Sequence, residues 1–154
     1  MIAPKNLNQA FGRLLKSEGF KKRRADSWYF ESADTISVVN LQKSAYGGQF
    51  YVNVAVWLKP LGEAESPPEH KCHIRCRWES LIPQDERSIQ RLLNVDDVSL
   101  SDQERIAEIE NVMVHHVLPF LNKAASLSDL RTLYQSGTWP SAILVQARAQ
   151  RLFD

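Results

Sequence analysis

Residues 36–58 decide the fold of this chain: ISVVNLQKSAYGGQFYVNVAVWL. Two runs rich in β-branched and aromatic side chains, residues 36–44 and 49–58, flank Gly47-Gly48, and a Gly-Gly pair between such runs is typical of a tight hairpin turn. A turn at Gly47-Gly48 places Ser44 opposite Tyr51. The alternation gives one apolar face, with Val39, Leu41, Val52, Val54, Val56 and Leu58, and a second face with Asn40, Gln42, Ser44, Tyr51, Asn53, Ala55 and Trp57. A slip of one residue would mix the two sets, so the pattern itself supports the hairpin.

The segment before the hairpin predicts a helix and a short strand. Apolar residues recur at helical spacing over residues 5–18, and Gly19 suits the left-handed position that ends such a helix. The basic run from Lys21 to Arg24 is interpreted as a solvated turn, and the aromatic residues 28–30 as a strand.

The segment after the hairpin predicts a loop, one further strand and several helices. Residues 59–71 are rich in Pro and Glu and indicate a flexible loop. Residues 72–79 alternate as a strand, with Cys72, Ile74, Cys76 and Trp78 toward the core and His73, Arg75, Arg77 and Glu79 on the other face. Helices are expected over residues 85–93, from the Ser101–Glu104 capping box, from Ser126 to Gly137 and from Pro140, with a kink at Pro119.

Together these elements predict a single α+β domain over residues 1–154, in which one antiparallel sheet of about four strands is packed by helices on one face. A length of 154 residues with 44% hydrophobic side chains is typical of one soluble domain. A net charge of +1 argues against non-specific nucleic-acid binding. No apolar run is long enough to span a membrane, and the two cysteines fit a reducing cytoplasm.

The near-neutral net charge hides an uneven distribution along the chain. Residues 1–24 are strongly basic and residues 84–110 are acidic. An acidic segment suits a basic protein partner, since complementary charge speeds encounter. The candidate partner-binding residues of this segment are Asp96, Asp97 and Glu104.

Metal, cofactor and catalytic sites are not predicted. Cys72 and Cys76 belong to a cluster that also holds His70 and His73, but on one strand the two thiols lie ~13 Å apart, too far to share a zinc ion. The sequence lacks the glycine-rich, nucleophile-elbow and zinc-protease motifs that mark common catalytic or cofactor sites.

The polar face of the hairpin is the best candidate for a binding site. If the strand over residues 72–79 joins the sheet, its outward side chains extend the same surface. Arginine offers forked hydrogen bonds to anions, and a large aromatic side chain in a polar field is typical of an interface anchor. The candidate binding residues are Gln42, Ser44, Tyr51, Asn53, His73, Arg75 and Arg77. The alternative is an ordinary solvated sheet face.

Several stretches of the chain resemble one bacterial family, "domain of unknown function 4304". They are Glu18-Gly19-Phe20-Lys21-Lys22, Asn40-Leu41-Gln42-Lys43-Ser44, Phe50-Tyr51-Val52-Asn53-Val54, Cys72-His73-Ile74-Arg75-Cys76-Arg77, Leu118-Pro119-Phe120-Leu121 and Ser126-Leu127-Ser128-Asp129-Leu130. Arg23-Arg24 departs from the pattern. The resemblance implies a single α+β domain without an established activity, and its recurring positions match Gln42, Ser44, Asn53, His73 and Arg77 as candidate ligand contacts.

Two functional hypotheses follow. The first is a non-enzymatic bacterial binding protein, of the immunity type that neutralises a toxin by direct binding. The alternative is a small-molecule-binding or hydrolytic domain, with its site on the polar sheet face around His73 and Arg77.

Overall fold

The computed structural model describes residues 2–140 and 142–154. The strands are β1 (Lys21–Arg24), β2 (Ser27–Glu31), β3 (Thr35–Lys43), β4 (Phe50–Leu58), β5 (Ile74–Arg77) and β6 (Leu144–Val145). The α-helices are α1 (Pro4–Ser17), α2 (Glu86–Leu92), α3 (Asp102–Val112), α4 (Leu118–Ala124), α5 (Leu127–Gln135) and α6 (Ala147–Phe153). The strands form one antiparallel sheet in chain order, so the predicted α+β class is confirmed.

In the described residues the sheet has six strands, not the predicted four or so. The basic run over Lys21–Arg24 is strand β1 and not a solvated turn; it pairs with β2 around a turn in which Asp26 has a φ of 58°. β6 is only two residues long and pairs with β5 at the opposite edge. Neither edge strand has the alternating apolar pattern of a half-buried strand, because β1 is exposed along its whole length and β6 is too short to show an alternation.

The β3–β4 hairpin has a longer turn than Gly47-Gly48 alone. Tyr51 lies opposite Gln42 and not Ser44, so the register is two residues from the predicted one. The turn is closed by a bond from Ser44 N to Gln49 O of 2.9 Å, and Gly47 has a φ of +67°. Because strand side chains alternate with a period of two, a two-residue shift leaves every side chain on its predicted face.

Helices pack against the predicted apolar face of the hairpin, which is confirmed as the core. All six of its side chains, from Val39 to Leu58, are at most 3% exposed. They form one cluster with apolar side chains of the helices, among them Leu7, Phe11, Leu15, Ile109, Val112, Leu121, Leu130 and Phe153. Within the described part of the chain, no helix is long and apolar enough to cross a membrane.

The second half of the chain differs from the predicted helices at two places. A five-residue π turn, Met113–Val117, joins α3 to α4 directly before Pro119, the position of the predicted kink. A proline, which has no N–H to donate, and a π turn are both typical places for a helix to bend. The last helix begins at Ala147 and not at Pro140, since Leu144–Val145 is β6. Ser141, inside that predicted helix, lies outside the described residues. The capping box of Ser101 and Glu104 is confirmed.

Candidate functional site

The sheet face opposite the helices is divided into a covered half and an open half. The covered half is a small apolar cluster of Tyr29, Ile36, Val38, Ala55 and Cys72, with Trp57 packed against it. The loop over residues 59–73 lies on this cluster: Pro67 is buried, and Trp57 Nε1 donates to Gly62 O at 2.9 Å.

This loop, predicted to be flexible from its composition, makes specific hydrogen bonds with the sheet. Three consecutive carbonyl oxygens accept hydrogen bonds from β1 and β2: Glu65 O from Arg23 Nη1 (2.9 Å), Ser66 O from Arg24 Nε (2.9 Å) and Pro67 O from the Tyr29 hydroxyl (3.0 Å). The arginines of the basic run therefore stabilise the loop, which forms one wall of the open half.

The open half contains a cleft of about 610 Å³. Its floor is formed by strand side chains, and its walls by the β1–β2 turn and residues 68–70. The lining residues are Arg24, Ala25, Ser27, Asn40, Gln42, Pro68, Glu69, His70 and Arg75. A cavity of this size is within the range of small-ligand pockets, about 300–1,000 Å³.

A chain of amide hydrogen bonds crosses the cleft floor. Asn53 Nδ2 donates to Asn40 Oδ1 at 3.0 Å and to Gln42 Oε1 at 2.9 Å. Asn40 Nδ2 in turn donates to Ser27 Oγ at 2.9 Å and to the carbonyl oxygen of Asp26 at 3.2 Å. Asn53 is 7% exposed, so it supports the floor from beneath and fixes the positions of the other two amides.

Two arginines from β5 flank this floor, each with a partner inside the protein. Arg75 makes a forked ion pair with Glu69, with Nε to Oε1 at 2.9 Å and Nη2 to Oε2 at 3.3 Å. The exposed Arg77 stacks on the Tyr51 ring, 3.9 Å from its centroid, in a cation–π contact. Both guanidinium groups are thus held in place before any ligand binds.

Of the seven predicted site residues, Gln42 and Arg75 line the cleft, and Tyr51, Asn53 and Arg77 lie beside it on the same sheet face. His73 and Ser44 lie away from it. His73 is 3% exposed, its Nδ1 accepts a bond from Leu58 N at 2.9 Å, and its ring packs 4.3 Å from that of Trp57. Burial, and then the positive charge of Arg148, lowers the pKa of His73. Ser44 belongs to the hairpin turn, where its hydroxyl accepts from Tyr46 N. The structure therefore brings together Gln42, Tyr51, Asn53, Arg75 and Arg77, but not His73 or Ser44.

The two cysteines lie on opposite faces of the sheet. Cys76 belongs to the helix-covered core, whereas Cys72, predicted on that same face, packs in the small cluster under the loop because the chain is not yet a strand there. Burial raises the pKa of both thiols to about 12. Within residues 2–140 and 142–154, no group of three or more His, Cys, Asp or Glu side chains could hold a metal ion.

The acidic candidates are largely engaged within the protein. Asp97 accepts from the Ser99 hydroxyl (2.6 Å), from Ser99 N (2.9 Å) and from Arg91 Nε (3.0 Å), and these bonds, the one from the Ser99 hydroxyl first, lower its pKa. Glu104 completes the capping box of α3. Asp96 is exposed and lies over the hairpin turn, where a Cβ on Gly48 would be 2.7 Å from its carboxyl group.

Sequence reasoning missed four residues that shape these surfaces. Arg24, Glu69 and His70 line the cleft, but they lie in a run interpreted as a turn and in or beside a segment interpreted as a flexible loop. Arg105 is only 1% exposed, and its guanidinium donates to the carbonyl oxygens of residues 91, 92 and 97, which holds the acidic loop in place. For Glu69 and His70, the available signal was the proline pair directly before them, Pro67-Pro68, because prolines limit the conformational freedom of a loop.

Comparison with curated proteins and with solved structures finds no match to this chain. A family model does match residues 11–123, a span that includes the sheet from β1 to β5 and the residues that line the cleft. The chain therefore belongs to the family described as "Domain of unknown function (DUF4304)".

Proposed function

We propose that this chain is a non-enzymatic bacterial binding protein that engages a partner protein through the open half of the sheet face, and that its class is that of immunity proteins, which neutralise a toxin by direct binding. The observation that carries the proposal is the cleft with its flanking Arg77–Tyr51 stack. Arginine and tyrosine are enriched among the residues that contribute most to binding at protein interfaces.

The polar side chains of this surface are already ordered in the free protein. The three amides hold one another, Arg75 is fixed by Glu69, and Arg77 is fixed by Tyr51. Since ordering a long side chain on binding costs about 0.5–1.5 kcal/mol, a surface ordered in advance binds more tightly than a mobile one. The fixed positions of Arg75 and Arg77 therefore favour a binding surface over an ordinary solvated sheet face.

The experiment uses the products of the genes that flank this one in its source genome, each tested for toxicity and for binding to the purified chain. We expect one of them to bind, and Arg77→Ala to weaken that complex by at least tenfold with little change in melting temperature. Arg87→Ala is the matched control, because Arg87 is exposed on α2 and the substitution removes the same charge.

Three results would count against this proposal. If Arg77→Ala and Arg87→Ala bind equally well, the cleft is not the interface. If instead Asp96→Lys abolishes binding while Arg77→Ala does not, the acidic loop is the interaction surface. A large fall in melting temperature for Arg77→Ala would assign the residue a structural role.

The cleft volume also favours a second candidate function, small-molecule binding. His73 does not line the cleft, and its Nδ1 is occupied by a backbone N–H, so a hydrolytic version has no accessible base at that residue. His70 is the histidine that lines the cleft. Native mass spectrometry of the purified protein tests this candidate, since a stoichiometric small molecule lost on Gln42→Glu substitution would favour it over a protein partner.

A further inference from the structure

We propose that the cleft is a carboxylate-binding site, and that the group it takes from a partner is the side chain of an aspartate or glutamate. This inference rests on the proposed function, because it names the chemistry by which that binding surface would recognise its partner. It is carried by the direction of the hydrogen bonds on the cleft floor and by the charge of the cleft walls.

The direction of the amide chain is fixed at one end by the backbone. The carbonyl oxygen of Asp26 can only accept, so the atom of Asn40 that faces it at 3.2 Å is the amide nitrogen. Asn40 therefore turns its oxygen toward Asn53, which must present its own nitrogen, and that nitrogen also donates to Gln42 at 2.9 Å. An amide flip, which would exchange the O and N atoms, is thus excluded for Asn40, Asn53 and Gln42.

Gln42 is the last member of this series of hydrogen-bonded amides, and it turns N–H donors toward the cleft. Its Oε1 is used by Asn53, which leaves the Nε2 group with two N–H bonds. Among the described residues, no protein acceptor is bonded to Gln42 Nε2, although the side chain is exposed and lines the cleft. A ligand on the floor therefore has to supply an acceptor.

The walls of the cleft add positive charge and further donors. Glu69 is neutralised by its forked pair with Arg75, so the charge of Arg24 is left in excess among the lining residues. A guanidinium has five N–H donors, of which Arg75 uses two on Glu69, whereas Arg24 donates to Ser66 O and also lies against the Tyr29 hydroxyl. Planar guanidinium and amide donors match the two-oxygen geometry of a carboxylate. The single excess positive charge of the lining also matches one carboxylate better than a phosphate group, which carries about two negative charges at pH 7.

The experiment follows the side-chain amide signals of Gln42 and Asn53 by NMR while the full chain is titrated with glutarate. Glutaramide, its neutral analogue of nearly the same shape, is the matched ligand, and sodium chloride holds the ionic strength constant. We expect glutarate to shift the Gln42 NH₂ signals with saturation, glutaramide to leave them in place, and inorganic phosphate to bind at least fivefold more weakly than glutarate.

Gln42→Glu tests the same point from the side of the protein. The substitution keeps an oxygen for Asn53 to donate to, but it replaces the cleft-facing N–H donors with a second oxygen and adds a negative charge. We expect glutarate binding to fall at least tenfold in this variant. Gln103→Glu is the matched control, because it adds the same charge at an exposed position of α3, a helix on the other side of the sheet.

The outcomes separate this inference from the proposed function. Equal shifts with glutarate and glutaramide, phosphate binding as tightly as glutarate, or full glutarate binding by Gln42→Glu would each overturn the carboxylate assignment, even if a partner protein binds at the cleft. Saturable glutarate binding that is lost only in Gln42→Glu supports it. That support stands if no partner protein is found, in which case the proposed function alone fails.

Discussion

Replacing Arg105 with methionine should lower the free energy of unfolding by about 3 kcal/mol, because it leaves buried carbonyl oxygens without donors. Nη1 of Arg105 donates to Arg91 O and Leu92 O, both at 2.8 Å, and Nη2 donates to Asp97 O. The side chain is 1% exposed, so water does not replace these bonds unless the loop opens.

The magnitude comes mainly from Leu92 O and Asp97 O, because Arg91 O keeps a second donor, Asn94 N at 3.2 Å. Each buried carbonyl that loses its partner costs about 1–3 kcal/mol, and the sum is reduced because a guanidinium no longer has to be desolvated. Two of the acceptors are at the C-terminal end of α2, where a positive charge also interacts favourably with the helix dipole. Methionine fills much of the same volume, so cavity formation adds little.

The assay is urea unfolding, followed by tryptophan fluorescence and far-UV circular dichroism. Arg131→Met is the control, because the exposed Arg131 donates to one carbonyl, Leu152 O at 2.9 Å, and its loss should cost less than about 1 kcal/mol. A loss for Arg105→Met of under 1 kcal/mol, or one equal to that of the control, would refute the view that this arginine holds the acidic loop.

Three further predictions concern buried groups. The pKa of His73 is lowered below 6.5 in the folded chain, so the unfolded chain takes up a proton first as the pH falls. The free energy of unfolding should therefore decrease below pH 6.5, by at most about 1.4 kcal/mol per pH unit from this group. An NMR titration showing His73 protonated above pH 6.5 would contradict this. Tyr29→Phe should cost about 1 kcal/mol and speed proteolysis of the loop at residues 59–71, whereas Tyr46→Phe, at an 87% exposed residue, should change neither. Cys72 and Cys76, with thiol pKa values of about 12, should resist iodoacetamide at pH 8 in the folded protein and react in urea; rapid alkylation of the folded protein would show that they are accessible.

The hairpin faces could be predicted from sequence because the alternation of strand side chains is a local property. Val54 and Asn53 are neighbours in the chain, and their opposite faces follow from the period of two whichever turn joins the strands. The same rule placed Gln42, Asn53 and Arg77 on one surface. It failed at Cys72, where the chain has not yet entered the strand.

The cleft could not be predicted from sequence, because its walls depend on distant contacts. Arg23 and Arg24 reach carbonyl oxygens 42 residues further along the chain, and a run of four basic residues carries no sign of that partnership. The ion pair of Arg75 with Glu69 likewise depends on how the loop returns to the sheet.

The sequence by itself determined the α+β class, the core face of the hairpin and the polar character of the other face, because periodicity and residue type act over a few residues. Only the tertiary structure decided which half of that polar face is covered and which is open. The physical reason is that a loop without its own periodicity takes its conformation from backbone carbonyls bonded to remote side chains, here Arg23, Arg24 and Tyr29.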